Sequence, residues 1–95
     1  MKVRKAKDIK KVLKQKGFAL EPAKGHHEYY YLVINGVKQH VYTYFSHSLS
    51  EYNDHLMSQM KKQLKFTDSK SAEDFFDCPM SSGDYVSMLK QNGEV

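Results

Sequence analysis

The dipeptide Asn35-Gly36 constrains the fold more than any other feature of the sequence. It lies between two runs rich in tyrosine and β-branched residues, His26–Ile34 and Val37–Phe45. Asn-Gly is typical of a two-residue hairpin turn, because both central positions of such a turn need a positive φ angle. The sequence therefore predicts that the two runs are neighbouring antiparallel strands of one sheet.

A two-residue turn also predicts which side chains share a face, because successive side chains of a strand alternate between faces. In this register His27 lies opposite Tyr44. The face expected to form the core is mainly aliphatic and carries Tyr30, Leu32, Ile34, Val37, Val41 and Phe45. The other face is amphipathic and tolerates water; it carries His27, Tyr29, Tyr31, Lys38, His40, Tyr42 and Tyr44.

Helical periodicity precedes and follows this hairpin. Apolar residues at i, i+3, i+4 spacing predict a first helix over 3–16, ended by Gly17, and a short strand Phe18–Glu21 follows. A second helix is predicted over 50–65 with Ser50 as its N-cap. Two further helices are predicted after it, the last beginning at a capping box in which Ser81 is followed three residues later by an aspartate.

The predicted order is helix, three strands, helix and a helical tail, which defines an α+β class with helices on one face of an antiparallel sheet. The same α-β-β-β-α order is that of the double-stranded-RNA-binding-domain-like fold. The chain of 95 residues has the length of a single domain, too short for a Rossmann sheet or a TIM barrel. We expect its core over about 3–65 and a helical C-terminal extension over about 66–95.

Two absences bear on the cellular setting. The longest apolar run is far shorter than the roughly 20 residues that cross a bilayer, so no membrane partner is expected. The one cysteine, Cys78, leaves no internal disulfide and no paired-cysteine zinc motif. A cytoplasmic protein is the simplest interpretation.

The positive charge of the chain is concentrated at its start. Residues 1–24 contain nine Lys or Arg against two acidic residues, a net charge of +7, whereas 25–95 contain six against nine, a net charge of −3. A basic surface favours a polyanion, since neutralised phosphates release counterions. A solubilising helix face would have the same composition.

The five histidines, His26, His27, His40, His47 and His55, allow three interpretations. A metal site is one, although HxH, HExxH and paired Cys/His spacings are absent and no metal or cofactor is predicted. Structural histidines with satisfied hydrogen bonds are the second. The third is acid/base catalysis, because an imidazole with an ordinary pKa of about 6.5 exchanges protons at neutral pH and RNA supplies its own 2′-hydroxyl nucleophile.

Four segments of the sequence resemble the HicA family of toxins from type II toxin–antitoxin systems. The family's basic first helix runs into "K-G-F", and its "G-x-H" motif is followed by strand residues. A second histidine comes before the next helix, and a tyrosine-rich subgroup carries "D-C-P-M-S". The matching segments here are Lys16-Gly17-Phe18, Gly25-His26-His27-Glu28-Tyr29-Tyr30, Phe45-Ser46-His47 and Asp77-Cys78-Pro79-Met80-Ser81.

The resemblance implies a small mRNA interferase that cleaves RNA without a metal and is neutralised by a HicB-type antitoxin. The catalytic histidine of G-x-H falls on His27, while His26 stands where the family usually has a small or acidic residue. His26 and His47 are possible secondary site residues. We expect RNA contacts from Lys7, Lys10, Lys24, Gly25, Tyr29 and Tyr44.

Two other functions use the same residues. A non-catalytic RNA-binding module would use the basic helix and the tyrosines without cleavage. An interaction protein would dock an acidic partner on the basic surface and would show no salt-dependent affinity for RNA. The resemblance to HicA toxins implies no DNA partner for the toxin alone.

Overall fold

The computed structural model describes residues 1–24, 27–77 and 79–95, and the side chains of 22–24 lie outside the description. Within those residues the chain has an α+β architecture with a three-stranded antiparallel sheet, a two-stranded pair and four helices. In chain order the elements are β1 (Arg4–Lys5), α1 (Ala6–Gln15), β2 (Phe18–Lys24), β3 (His27–Ile34), β4 (Val37–Ser46), β5 (Glu51–Tyr52), α2 (Asp54–Gln63), α3 (Ser69–Asp77) and α4 (Ser82–Gln91).

The strands β1 and β5 pair with each other, and the sequence did not predict them. They shorten both helices that flank them: α1 begins at Ala6 instead of residue 3. The prediction of Ser50 as the N-cap of α2 is wrong, because the chain stays extended through β5 and Asn53 accepts the capping hydrogen bond from the Leu56 amide at 2.9 Å. The Ser50 carbonyl instead accepts a hydrogen bond from the Ala6 amide at 2.9 Å.

The hairpin turn is confirmed, but the predicted register holds only near it. Asn35 and Gly36 have φ angles of 51° and 78°, as a turn with two positive φ positions requires. The ladder then shifts between Tyr31 and Val33, so that His27 pairs with Ser46 and not with the predicted Tyr44. Along the two strands, Ile34 pairs with Val37, Tyr31 with Tyr42 and Tyr29 with Tyr44. A shift of two residues keeps every side chain on its predicted face, because strand side chains alternate with period two.

The strand predicted to end at Glu21 continues to Lys24. It is an edge strand of the order β2-β3-β4, a place where the missing amide hydrogen of Pro22 is tolerated. The ladder with β3 shifts register between Glu21 and Lys24, which accommodates the proline. The extension brings the backbone of Lys24 opposite His27.

The core lies between one face of the sheet and the helices. Of the predicted core face, Tyr30, Leu32, Val41 and Phe45 are buried, which confirms its orientation. Val37 is 61% exposed, so its assignment to the core is wrong: it lies beside the turn, at the tip of the hairpin. The cluster also includes the following side chains from outside the sheet: Ile9, Leu13, Met57, Met60, Leu64, Phe75, Tyr85 and Leu89.

The helices of the C-terminal tail are well defined by local signals. The capping box of α4 is confirmed, with the Ser81 hydroxyl accepting from the Asp84 amide at 3.0 Å and the Asp84 carboxylate accepting from the Ser81 amide at 3.3 Å. The Tyr85 hydroxyl donates to the Leu64 carbonyl at 2.8 Å and ties α4 to the end of α2. No helix in the described parts of the chain is long and apolar enough to span a membrane.

Candidate functional site

Four tyrosines cover the side of the sheet that looks away from the buried cluster. Tyr29 and Tyr31 of β3 lie opposite Tyr44 and Tyr42 of β4, with ring centroids 5.6 and 4.9 Å apart across the strands. Tyr42 and Tyr44 are each 40% exposed. We call these four residues together with His27 the tyrosine face. Aromatic rings that are open to solvent on a sheet can stack on unpaired bases.

His27 lies at one end of the tyrosine face. Its ring centroid is 5.2 Å from that of Tyr44 and 6.3 Å from that of Tyr29, and the residue is partly exposed. It also borders a cavity of about 220 Å³ between the end of β4 and the helix α2, whose walls include Ser46 and Gln59. A ligand stacked on Tyr44 therefore lies next to an imidazole that solvent and ligand can both reach.

Lys65 lies beside the same face, although the sequence did not predict it as a site residue. A second cavity, of about 150 Å³, is lined by His40, Tyr42, Tyr44, Gln63 and Lys65. The α2 helix ends at Gln63, and Lys65 then takes a φ angle of 69°, which turns the chain back. The end of α2 is thus the element that brings a cation beside the tyrosines.

An ion pair occupies the part of the tyrosine face nearer the hairpin tip. Lys38 Nζ lies 2.6 Å from Glu21 Oε1 and 4.4 Å from the centre of the Tyr31 ring. The hydrogen bond to Glu21 raises the pKa of Lys38, so the ammonium stays charged. With Tyr29 and Tyr31 the pair lines a cavity of about 260 Å³.

The first-helix lysines and His47 lie on the other side of the sheet from His27. Lys10 Nζ is 3.0 Å from Glu28 Oε1, and His47 Nε2 is 3.8 Å from the same oxygen. Glu28 follows His27 in β3 and so points to the opposite face. Lys7 and Lys10 line a surface cavity of about 500 Å³ on that side. The predicted site is thereby divided into two groups of residues.

The remaining predicted residues lie at the turn between β2 and β3. Gly25 and His26 fall outside the described residues, as does the side chain of Lys24, whose backbone pairs with His27. Their predicted roles stay predictions. His27, Tyr29 and Tyr44 are therefore the predicted site residues that the structure brings together on the tyrosine face.

Sequence reasoning placed Tyr31, Tyr42 and Lys38 on the correct face but gave them no role at the site. Strand alternation would have sufficed to find them, since all three share the face of His27. Lys65 could not be found in this way, because its position depends on how the end of α2 packs beside β4.

Comparison of the chain with protein-family models, curated proteins and solved structures gave no significant match. In residues 1–24, 27–77 and 79–95, no group of three or more His, Cys, Asp and Glu side chains is arranged to hold a metal ion. The chemistry available on and beside the tyrosine face is that of the His27 and His40 imidazoles, four phenol rings and the neighbouring charged groups.

Proposed function

We propose that this protein is a HicA-like toxin, a cytoplasmic endoribonuclease of the double-stranded-RNA-binding-domain-like fold that cleaves mRNA without a metal. A HicB-type antitoxin would neutralise it. The observation that carries the proposal is the position of His27, a reachable imidazole 5.2 Å from an exposed tyrosine ring at the end of an aromatic surface. The resemblance of the sequence to HicA toxins supports the same function.

Substrate binding would begin with stacking. Each base stacked on an aromatic side chain contributes about 1–3 kcal/mol to single-strand binding, and the contribution tolerates any sequence. Tyr42 and Tyr44, the most exposed rings of the tyrosine face, are the first candidates for these contacts. A base-paired duplex hides its base faces, so unpaired RNA is the substrate that this surface favours.

The cleavage step requires only groups that RNA and His27 supply. The 2′-oxygen attacks the adjacent phosphorus, the bond between phosphorus and the 5′-oxygen breaks, and the leaving oxygen takes up a proton. His27 acts as the base that removes the 2′-hydroxyl proton or as the acid that protonates the 5′-oxygen. The products are a 2′,3′-cyclic phosphate and a free 5′-hydroxyl.

Cations on both sides of the sheet would contribute in different ways. Lys65 borders the cavity at Tyr44 and is close enough to the tyrosine face to neutralise a bound phosphate. Lys10 is paired with Glu28 behind the sheet, so Lys7 and Lys10 would act through the general positive field that attracts RNA.

Incubation of the purified protein with end-labelled unpaired RNA in excess EDTA tests the proposal. Wild-type protein should cleave, and His27→Ala should lower the rate roughly 10²- to 10⁴-fold, the range for loss of a general acid or base. His55→Ala, which changes an exposed histidine on α2, is the matched control and should cleave at the wild-type rate.

The outcomes also separate the two rival functions. Tight, salt-dependent RNA binding without product would reject the nuclease and favour the non-catalytic RNA-binding module. Absence of RNA affinity at low salt would reject both and favour an acidic protein partner. Expression of His27→Ala at wild-type level in cells should no longer arrest growth.

A further inference from the structure

We propose that the cavity lined by Glu21, Tyr29, Tyr31 and Lys38 recognises a guanine base of the bound RNA strand. This inference rests on the proposed function, since it names the base that the tyrosine face selects. The cavity has about 260 Å³ and is separate from the one that borders His27.

The two charged groups reach this cavity from opposite edges of the sheet. Glu21 pairs with Tyr29 across β2 and β3, so its carboxylate lies on the tyrosine face. Lys38 comes from β4, passes over the Tyr31 ring at 4.4 Å and meets Glu21 Oε1 at 2.6 Å. The side chains are 53% exposed at Lys38 and 31% exposed at Glu21, so a ligand can reach both.

The ion pair matches the Watson–Crick edge of guanine. Guanine presents the acceptor O6 beside two donors, N1–H and the N2 amino group. An ammonium donates to O6 while the neighbouring carboxylate accepts from both nitrogens, a charge-assisted bidentate arrangement. Adenine and cytosine place an acceptor nitrogen where guanine has N1–H, and uracil flanks its one donor with two carbonyls, so each meets the carboxylate with at least one lone pair.

The aromatic part of the cavity connects this recognition to the proposed cleavage. Tyr29 and Tyr31 have nearly parallel rings, with centroids 6.4 Å apart and planes 23° apart, and both border the cavity, where a base would contact them. Tyr29 is also 6.3 Å from the His27 ring centroid. The selected guanine would therefore lie close to the nucleotide whose phosphate reacts.

The test measures equilibrium binding of His27→Ala protein to uridine octamers that carry one guanosine, inosine, adenosine or cytidine at a central position. The guanosine octamer should bind about 5- to 150-fold tighter than the adenosine and cytidine octamers, the range for one bidentate base contact. Inosine lacks the N2 amino group and should fall between guanosine and adenosine.

Substitutions at the ion pair identify its role. Glu21→Gln should abolish the preference for guanosine while the adenosine octamer binds as before, and Lys38→Met should reduce the preference. Glu51→Gln, which changes an exposed carboxylate on β5, is the control and should keep the preference for guanosine. Circular dichroism of each variant checks that it folds.

Equal affinity for all four octamers would overturn the guanine site. It would leave the proposed function intact, because stacking on aromatic side chains does not depend on which base is present. Absence of binding to every octamer would instead reject the proposed function. If Glu21→Gln does not fold, the guanosine and inosine octamers still test the guanine site on the unchanged pocket, because only the ligand differs. Equal affinity for the two would count against the contact with the N2 amino group.

Discussion

Replacing Lys65 by glycine should leave the protein equally or more stable while it weakens RNA binding. Lys65 follows the last residues of α2 with a φ angle of 69°. Its amide donates to the Lys62 carbonyl at 3.1 Å and the Phe66 amide donates to the Lys61 carbonyl at 3.0 Å, the two hydrogen bonds of a Schellman motif. The helix α4 ends in the same way, but there the residue with positive φ is Gly93.

The expected size of the effect follows from that backbone conformation. A non-glycine residue in the left-handed region costs about 1–2 kcal/mol. Glycine removes this cost, but it also destabilises the folded state by about 0.5–1 kcal/mol, because the unfolded chain gains conformational freedom. The net change in the free energy of unfolding is a gain of up to about 1.5 kcal/mol, or a rise in Tm of up to about 8 °C for a chain of this size.

Urea unfolding and RNA binding at several salt concentrations measure the two effects separately. Salt dependence is measured as the slope of log K against log salt concentration. Loss of one phosphate contact should reduce the magnitude of this slope by about 0.7 for single-stranded RNA. Lys65→Gln is the matched variant: it should weaken binding without the gain in stability. Lys70→Gly, in the first turn of α3, should instead destabilise by up to about 1 kcal/mol.

Either of two results would refute this reasoning. A loss of more than 1 kcal/mol in Lys65→Gly would show that the lysine stabilises the end of α2 beyond its backbone strain, contrary to the magnitude above. Unchanged affinity and salt slope would show that Lys65 does not meet the RNA. In the second case the cavity it shares with Tyr42 and Tyr44 would lose its proposed role.

Three further predictions concern stability. Tyr85→Phe keeps the buried ring but leaves the Leu64 carbonyl without its donor, so thermal unfolding should show a loss of about 1–3 kcal/mol. Burial raises the pKa of Tyr30 and Tyr85, so the stability that these two residues contribute should be complete below pH about 10 and should decline above it, because their phenols ionise first in the unfolded state; unfolding curves from neutral to alkaline pH measure this decline. Asn53→Ala should lower the free energy of unfolding in urea by about 1 kcal/mol, because it removes the cap of α2. Ser50→Ala keeps the backbone carbonyl that accepts from the Ala6 amide, so it should change that free energy by less than about 0.5 kcal/mol.

The parts of the fold predicted from the sequence are those set by short-range chemistry. The Asn35-Gly36 turn and the capping box at Ser81 depend on residues at most three positions apart, and both are confirmed. The assignment of Tyr30 and Phe45 to the core face also depends on alternation alone. These signals place His27 and Tyr44 on a common exposed face, which is the central part of the candidate site.

The parts that the sequence did not predict depend on contacts between distant segments. The pairing of β1 with β5 joins residues 4–5 to residues 51–52, and neither two-residue strand has a pattern of its own. The two-residue register shift in β3 and β4 moves His27 from Tyr44 to Ser46, although the turn is unchanged. The separation of Lys10 from His27 follows from the packing of α1 against the core face, which the charge pattern does not record.

The tyrosine face is the part of this fold that packing does not explain. The opposite face of the sheet and the helices form the buried cluster, and Tyr29, Tyr31, Tyr42 and Tyr44 contribute nothing to it. Threonine also favours strands and would avoid a patch of solvent-exposed rings, which favours aggregation. Four such rings arranged in cross-strand pairs beside the imidazole of His27 would suit a ligand with flat aromatic groups. This is why we propose unpaired RNA as the ligand, which would also use the net positive charge of the chain.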